Sequence, residues 1–154
     1  MSPKSTDRIE EMVFLRAPRA RVWRALTDAG EFGEWFGVKL AGAFAPGALV
    51  KGTITETGYE GMRFEMAVEH VESPRLFSWR WHPYAVDPGV DYSAEPPTLV
   101  VCELEEVPGG TMFTLTESGF GAIPASRGAE AYRMHEEGWS AQMKNIERYL
   151  AKAA

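Results

Sequence analysis

Apolar and polar residues alternate along some stretches of the chain and fall at helical spacing along others. Their order predicts the architecture. Arg8 to Leu15 (RIEEMVFL) mixes alternation with an apolar run and reads as a strand. Pro18 suits the first turn of a helix, where its missing N–H costs nothing. Val22, Trp23 and Leu26 then recur at helical spacing up to Thr27-Asp28. Gly30 interrupts, and Glu31 to Phe36 reads as a second short helix ending at Gly37. Ala48 to Thr57 and Met62 to Val71 alternate with period two, and Ser73-Pro74-Arg75 turns the chain into a further strand, Leu76 to His82. Thr98 to Val107 and Thr111 to Glu117, joined by Pro108-Gly109-Gly110, read as a hairpin. Gly128 to Ala151 is the longest helical pattern: Tyr132, His135, Trp139, Met143, Ile146 and Leu150 share one face, and Arg133, Glu137, Lys144 and Glu147 the other. Turn signals at short, even intervals predict an antiparallel meander, and the long amphipathic helix must lay its apolar stripe on that sheet. His82 to Pro97 has neither period; its four prolines and its tyrosines, Tyr84 and Tyr92, suggest a stiff flap. The expected organisation is one α+β domain over residues 8–151 after a short polar tail, 1–7.

Composition changes this picture at one point. Five Trp, five Tyr, eight Phe and seven Met in 154 residues imply either a dense core or a lined cavity. A net charge of −6 argues against a nucleic-acid binder, which needs a basic surface, and against binding to an anionic membrane. The lone Cys102 rules out an intrachain disulfide framework and fits a reducing cytoplasm, the expected location. The longest apolar candidate for a membrane span, Val38 to Val50, is broken by Lys39 and Pro46-Gly47.

Local motifs narrow the fold. Ala17-Pro18-Arg19-Ala20-Arg21-Val22-Trp23 followed by Leu26-Thr27-Asp28, then Trp35-Phe36, Leu76-Phe77-Ser78-Trp79-Arg80-Trp81, Gly110-Thr111, Leu115-Thr116-Glu117-Ser118-Gly119-Phe120 and Glu137-Gly138-Trp139 occur in that order. Together they resemble the START-like (SRPBCC) superfamily, and within it the branch named for the activator of the 90-kDa heat-shock chaperone's ATPase. The resemblance implies a helix-grip fold: a curved antiparallel sheet wrapped around a long C-terminal helix, with two short helices after the first strand. It also implies an apolar ligand held between sheet and helix, a space some members use for catalysis. Fold alone does not choose among these.

Strand and helix phase then propose a lining for that space: Trp35, Phe36, Met66, Phe77, Trp79, Trp81, Phe113, Leu115, Glu117, His135, Trp139 and Met143. The alternative for the aromatic residues is a filled core. Glu117 shares the phase of Phe113 and Leu115; it is either a carboxylate raised in pKa by desolvation or a residue at the strand end that is solvated or paired with an Arg. Arg80 falls on the opposite strand face, which is expected to be open to water. His135 reads as a satisfied core histidine and Cys102 as a small buried apolar residue. No spacing of His70, His82, His135 and Cys102 supports a metal site, and no cofactor motif is present. The leading reading is a soluble monomer or homodimer that binds an apolar small molecule without catalysis. The alternatives are an enzyme of cyclase, lyase or hydrolase type using Glu117, His82, Tyr92 and Arg80, and a protein with a chaperone partner.

Overall fold

The computed structural model describes residues 8–56, 58–82, 91 and 94–152. It contains the expected elements in the expected order. Strand β1 (Arg8–Leu15) leads into α1 (Arg19–Thr27) and α2 (Ala29–Phe36). Six strands follow: β2 (Val38–Ala41), β3 (Leu49–Ile54), β4 (Arg63–Glu72), β5 (Leu76–Trp81), β6 (Thr98–Val107) and β7 (Gly110–Ser118). A single 3₁₀ turn, Phe120–Ala122, then delivers the chain to α3 (Ala125–Lys152). The strands form one antiparallel sheet in the order β1-β7-β6-β5-β4-β3-β2, so β2 to β7 are a meander and β1 closes onto β7. With α3 against the sheet's inner face, this is the helix-grip fold.

Local chemistry sets the element ends. The Asp28 carboxylate accepts the Glu31 N–H at 2.9 Å and caps α2, which therefore starts at Ala29, two residues before the expected start at Glu31. Gly37 ends α2 at φ 91°, a left-handed conformation that glycine enters without a Cβ penalty. α3 starts at Ala125, three residues before the expected Gly128. β3 is shorter than the expected Ala48 to Thr57, and Thr57 lies outside the described residues. β2 is not visible as a strand in the sequence pattern. Its four residues are too few to establish a period, and only pairing with β3 makes them a sheet edge.

The core lies between the inner sheet face and the helices. β7 shows the alternation most clearly: Thr111, Phe113, Leu115 and Glu117 are buried and their neighbours are not. On α3, Trp139, Met143, Ile146 and Leu150 are buried, while Arg133, Glu137, Lys144 and Glu147 face water, as their helical phase predicts. Side-chain bonds fasten the helices to one another. Trp35 Nε1 donates to the Ala25 carbonyl at 2.8 Å, Gln142 Nε2 to the Phe36 carbonyl at 2.8 Å, and the Tyr149 hydroxyl to Glu31 at 2.8 Å. The Arg21 and Arg24 guanidinium groups also meet Glu31, so one carboxylate ties α1, α2 and α3 together. No described helix is long and apolar enough to cross a membrane.

Candidate functional site

Sheet register builds the site. Glu117 stands opposite Val100 on β6, which stands opposite Trp79 on β5. Thr98 and Trp81 form the next inward-facing pair along those strands. Thr98 lies diagonal to Glu117 on the neighbouring strand, and the long Trp81 side chain reaches it from β5, one strand further. From the other side, His135 and Trp139 lie four residues apart on α3, hence on one helix face. These neighbours converge on a single carboxylate. Glu117 Oε2 accepts from Trp81 Nε1 at 2.8 Å and from Thr98 Oγ1 at 2.5 Å, while Oε1 accepts from Trp139 Nε1 and from His135 Nδ1, both at 2.7 Å. A carboxylate offers about four lone-pair sites, so all are used.

Glu117 is fully buried. Burial on its own pushes the carboxyl pKa up, as the sequence reading of an apolar site anticipates. The charge of His135, its hydrogen bond and those from Thr98 and Trp81 more than compensate, and hold the group below its ordinary value. The direction expected for an apolar cavity is thereby reversed. So is the alternative of a solvated strand end, because the residue on β7 that ends the buried phase is covered by α3. With the carboxylate ionised, His135 Nδ1 carries the donated proton, and its ring stays partly exposed, at 19%.

A definite pH dependence follows. Above the ordinary carboxylate range Glu117 is ionised in both folded and unfolded chains, and the network contributes fully. As pH falls, the unfolded chain, whose carboxyl has the higher ordinary value, takes up its proton first, and stability is lost. Urea midpoints are expected to fall as pH drops below about 5, and less steeply in Glu117→Gln than in the parent. Equal slopes in the two proteins would contradict the assignment.

Aromatic rings surround this centre. Trp81 stacks on Trp139 at 5.8 Å and 26°, and meets Trp79 at 5.5 Å, Phe64 at 5.6 Å, Phe36 at 6.2 Å and His135 at 5.4 Å. Ring contacts continue inward through Phe32, Phe77 and Phe44. Met66, Phe113, Leu115 and Met143 are buried on the same seam. Phe36, Trp81 and His135 are only half-buried and mark where the seam reaches the surface. The Trp35 ring packs on Phe32 at 5.0 Å and Phe36 at 5.8 Å, with its indole N–H turned to α1. Two open depressions, of about 460 and 300 Å³, lie elsewhere: one at the β2–β3 edge around Leu40 and Gly52, one beside the β6–β7 hairpin around Pro18 and Gly110.

Of the proposed acid–base set, Arg80 faces away from Glu117. Arg80 is on the outer sheet face with its Nε on Glu69 at 2.6 Å, because β5 alternation places it opposite Trp79 and Trp81. The His82 ring lies 2.9 Å from the carbonyl of Glu95, whose carboxylate is paired with Arg127 at 2.8 Å. The hydrogen bonds from Arg127 hold Glu95 below the ordinary carboxylate range. Tyr84 and Tyr92 lie outside the described residues. Cys102 is buried, which pushes its thiol far up and leaves it unreactive. Among the described residues no group of three or more His, Cys, Asp or Glu side chains is placed to hold a metal ion. Thr98 and the Glu95–Arg127 pair were not legible as site residues, although Thr98 is a polar residue in the buried phase of Val100, Cys102 and Leu104.

The family model described as Activator of Hsp90 ATPase homolog 1-like protein matches residues 16–151, most of the chain. The protein belongs to this family. No curated protein matches the chain. Solved structures similar to this Activator of Hsp90 ATPase homolog 1-like protein include MLL2253 from Mesorhizobium loti, with a TM-score of 0.75 and 22% identity over 96% of this chain and 98% of that one. A protein from Arthrobacter aurescens has a TM-score of 0.79 at 16% identity, covering 97% and 90% of the two chains. Both show the fold. DynU16, a protein of the dynemicin biosynthetic locus, is 27% identical with a TM-score of 0.72; the match covers 96% of this chain but only 48% of DynU16.

Proposed function

We propose that this protein binds an apolar small molecule in the seam between the sheet and α3, entering at the end marked by Phe36, Trp81 and His135. One observation carries the reading: ring contacts run without a break from the half-exposed Phe36 and Trp81 to the fully buried Trp79 and Phe77, past an ionised carboxylate. The half-exposed rings of Phe36 and Trp81 offer wide apolar area to a guest. Met66 and Met143 add side chains that adapt to irregular shapes. The place of the 27%-identical DynU16 in a biosynthetic locus supports a small-molecule partner.

Native mass spectrometry of freshly purified protein tests for a retained molecule. Titration with neutral N-phenyl-1-naphthylamine then tests the seam itself. Energy transfer from the tryptophans should saturate and the thermal midpoint should rise. No transfer up to the solubility limit of the dye, with an unmoved midpoint, would remove the proposal.

Family membership favours one other reading, a chaperone partner. Co-purification with the host's own 90-kDa chaperone and stimulation of its ATPase would support that reading instead.

A further inference from the structure

One hydrogen-bonding group of the seam is left unused. The indoles of the buried Trp35 and Trp139 and of the half-buried Trp81 each donate to an oxygen, at 2.8, 2.7 and 2.8 Å. Trp79 is 1% exposed, and its Nε1 has no acceptor among the described residues. The reason is its place in the sheet. Trp79 shares a row with Glu117, but Val100 stands between them. The carboxylate is instead occupied by Trp81, from the next inward position on β5, and by Thr98, His135 and Trp139. Its ring neighbours, Phe32, Phe77, Trp81 and Trp139, carry no lone-pair acceptor. A phenylalanine at this position would fill the seam without leaving a buried donor unpaired.

The strongest acceptor nearby has no room for another donor. Glu117 already takes four hydrogen bonds, which is all a carboxylate accepts. A guest bringing an O–H or N–H to that carboxylate meets a saturated group, whereas a guest bringing a bare oxygen meets a donor in need of one.

We infer that the seam selects an apolar guest carrying an aprotic acceptor oxygen, such as an aryl ketone, quinone or lactone, which takes the Trp79 indole N–H. This inference rests on the reading of the seam as a binding site.

The test compares fluorene with fluoren-9-one, which share a ring skeleton and differ by the carbonyl. The parent protein is expected to bind the ketone about 3–10-fold more tightly, the worth of one buried hydrogen bond. In ¹H–¹⁵N spectra the Trp79 indole proton, assigned by its loss in Trp79→Phe, should move downfield with the ketone and not with fluorene. Trp79→Phe should still bind fluorene and should lose the preference. Equal affinities in the parent, an unmoved Trp79 signal, or a preference that survives in Trp79→Phe would each overturn the inference. If fluorene binds without preference, only the acceptor rule falls; if neither compound binds, the reading of the seam falls with it. Should Trp79→Phe fail to fold, the two affinities and the indole signal of the parent decide alone, with assignment by through-space contacts to Phe77 and Phe32.

Discussion

Glu117→Gln is expected to lower the free energy of unfolding by about 2–6 kcal/mol, the cost of leaving at least two buried donors without an acceptor. The change keeps the shape and removes the chemistry. Four donors converge on the carboxylate: two indoles, a hydroxyl and the His135 ring. An amide offers them one oxygen, and its NH₂ group points a donor at the other pair. At least two buried N–H or O–H groups then lose their acceptor, each at about 1–3 kcal/mol. The imidazole also loses the anion beside it. Urea unfolding at neutral pH checks this through the midpoint, with the slope unchanged if the variant stays two-state. A loss under about 1 kcal/mol would mean that the carboxylate is solvated or that the four donors find partners elsewhere.

Phe32→Ala is expected to cost a similar amount, about 3–5 kcal/mol, for a different reason. Phe32 is fully buried on α2, and its ring meets those of Trp35 at 5.0 Å, Phe36 at 4.8 Å, Phe44 at 5.4 Å and Trp79 at 6.0 Å. These partners belong to α2, to the chain between β2 and β3, and to β5, so no single shift closes the space. Trp35 is held in addition by its bond to the Ala25 carbonyl. The lost transfer energy and the residual cavity therefore add. Chemical denaturation of the variant measures the cost. A loss below about 1.5 kcal/mol would show that α2 settles onto the sheet and that the aromatic chain is looser than its distances imply.

The two substitutions separate the two materials of the seam. One removes polar partners and leaves volume unchanged; the other removes volume and leaves hydrogen bonds unchanged. Their coupling is also informative, because Trp79 touches the Phe32 ring and Trp81, and Trp81 donates to Glu117. Substitutions that share a network depart from additivity, so the double variant reports how far ring packing and the carboxylate network support each other.

Much of the fold was legible because it depends on periods short enough to read along the chain. Alternation placed Phe113, Leu115 and Glu117 on one strand face and Arg80 opposite Trp79 and Trp81. Spacing of three and four placed His135, Trp139 and Met143 on one stripe of α3, all as the structure has them. The β2 edge was not legible, since four residues carry no period and gain their identity from β3. The helix starts moved by two or three residues because capping and the turn before α3 act below the resolution of a hydrophobic pattern.

The site divides in the same way. The sequence by itself determined which side chains face the seam, and therefore that a carboxylate, a histidine and several indoles share it. Only the tertiary structure decided the state of that carboxylate. Whether a buried Glu is raised or lowered in pKa depends on how many donors reach it, and these come from β5, β6 and α3, at sequence separations of 36, 19, 18 and 22 residues. No local pattern encodes such distances. Strand register made Thr98 a diagonal neighbour of Glu117, set Trp81 beside Thr98 one strand further, and put Val100 between Glu117 and Trp79. By the same few ångströms, one indole is paired with the carboxylate and the other is left without an acceptor.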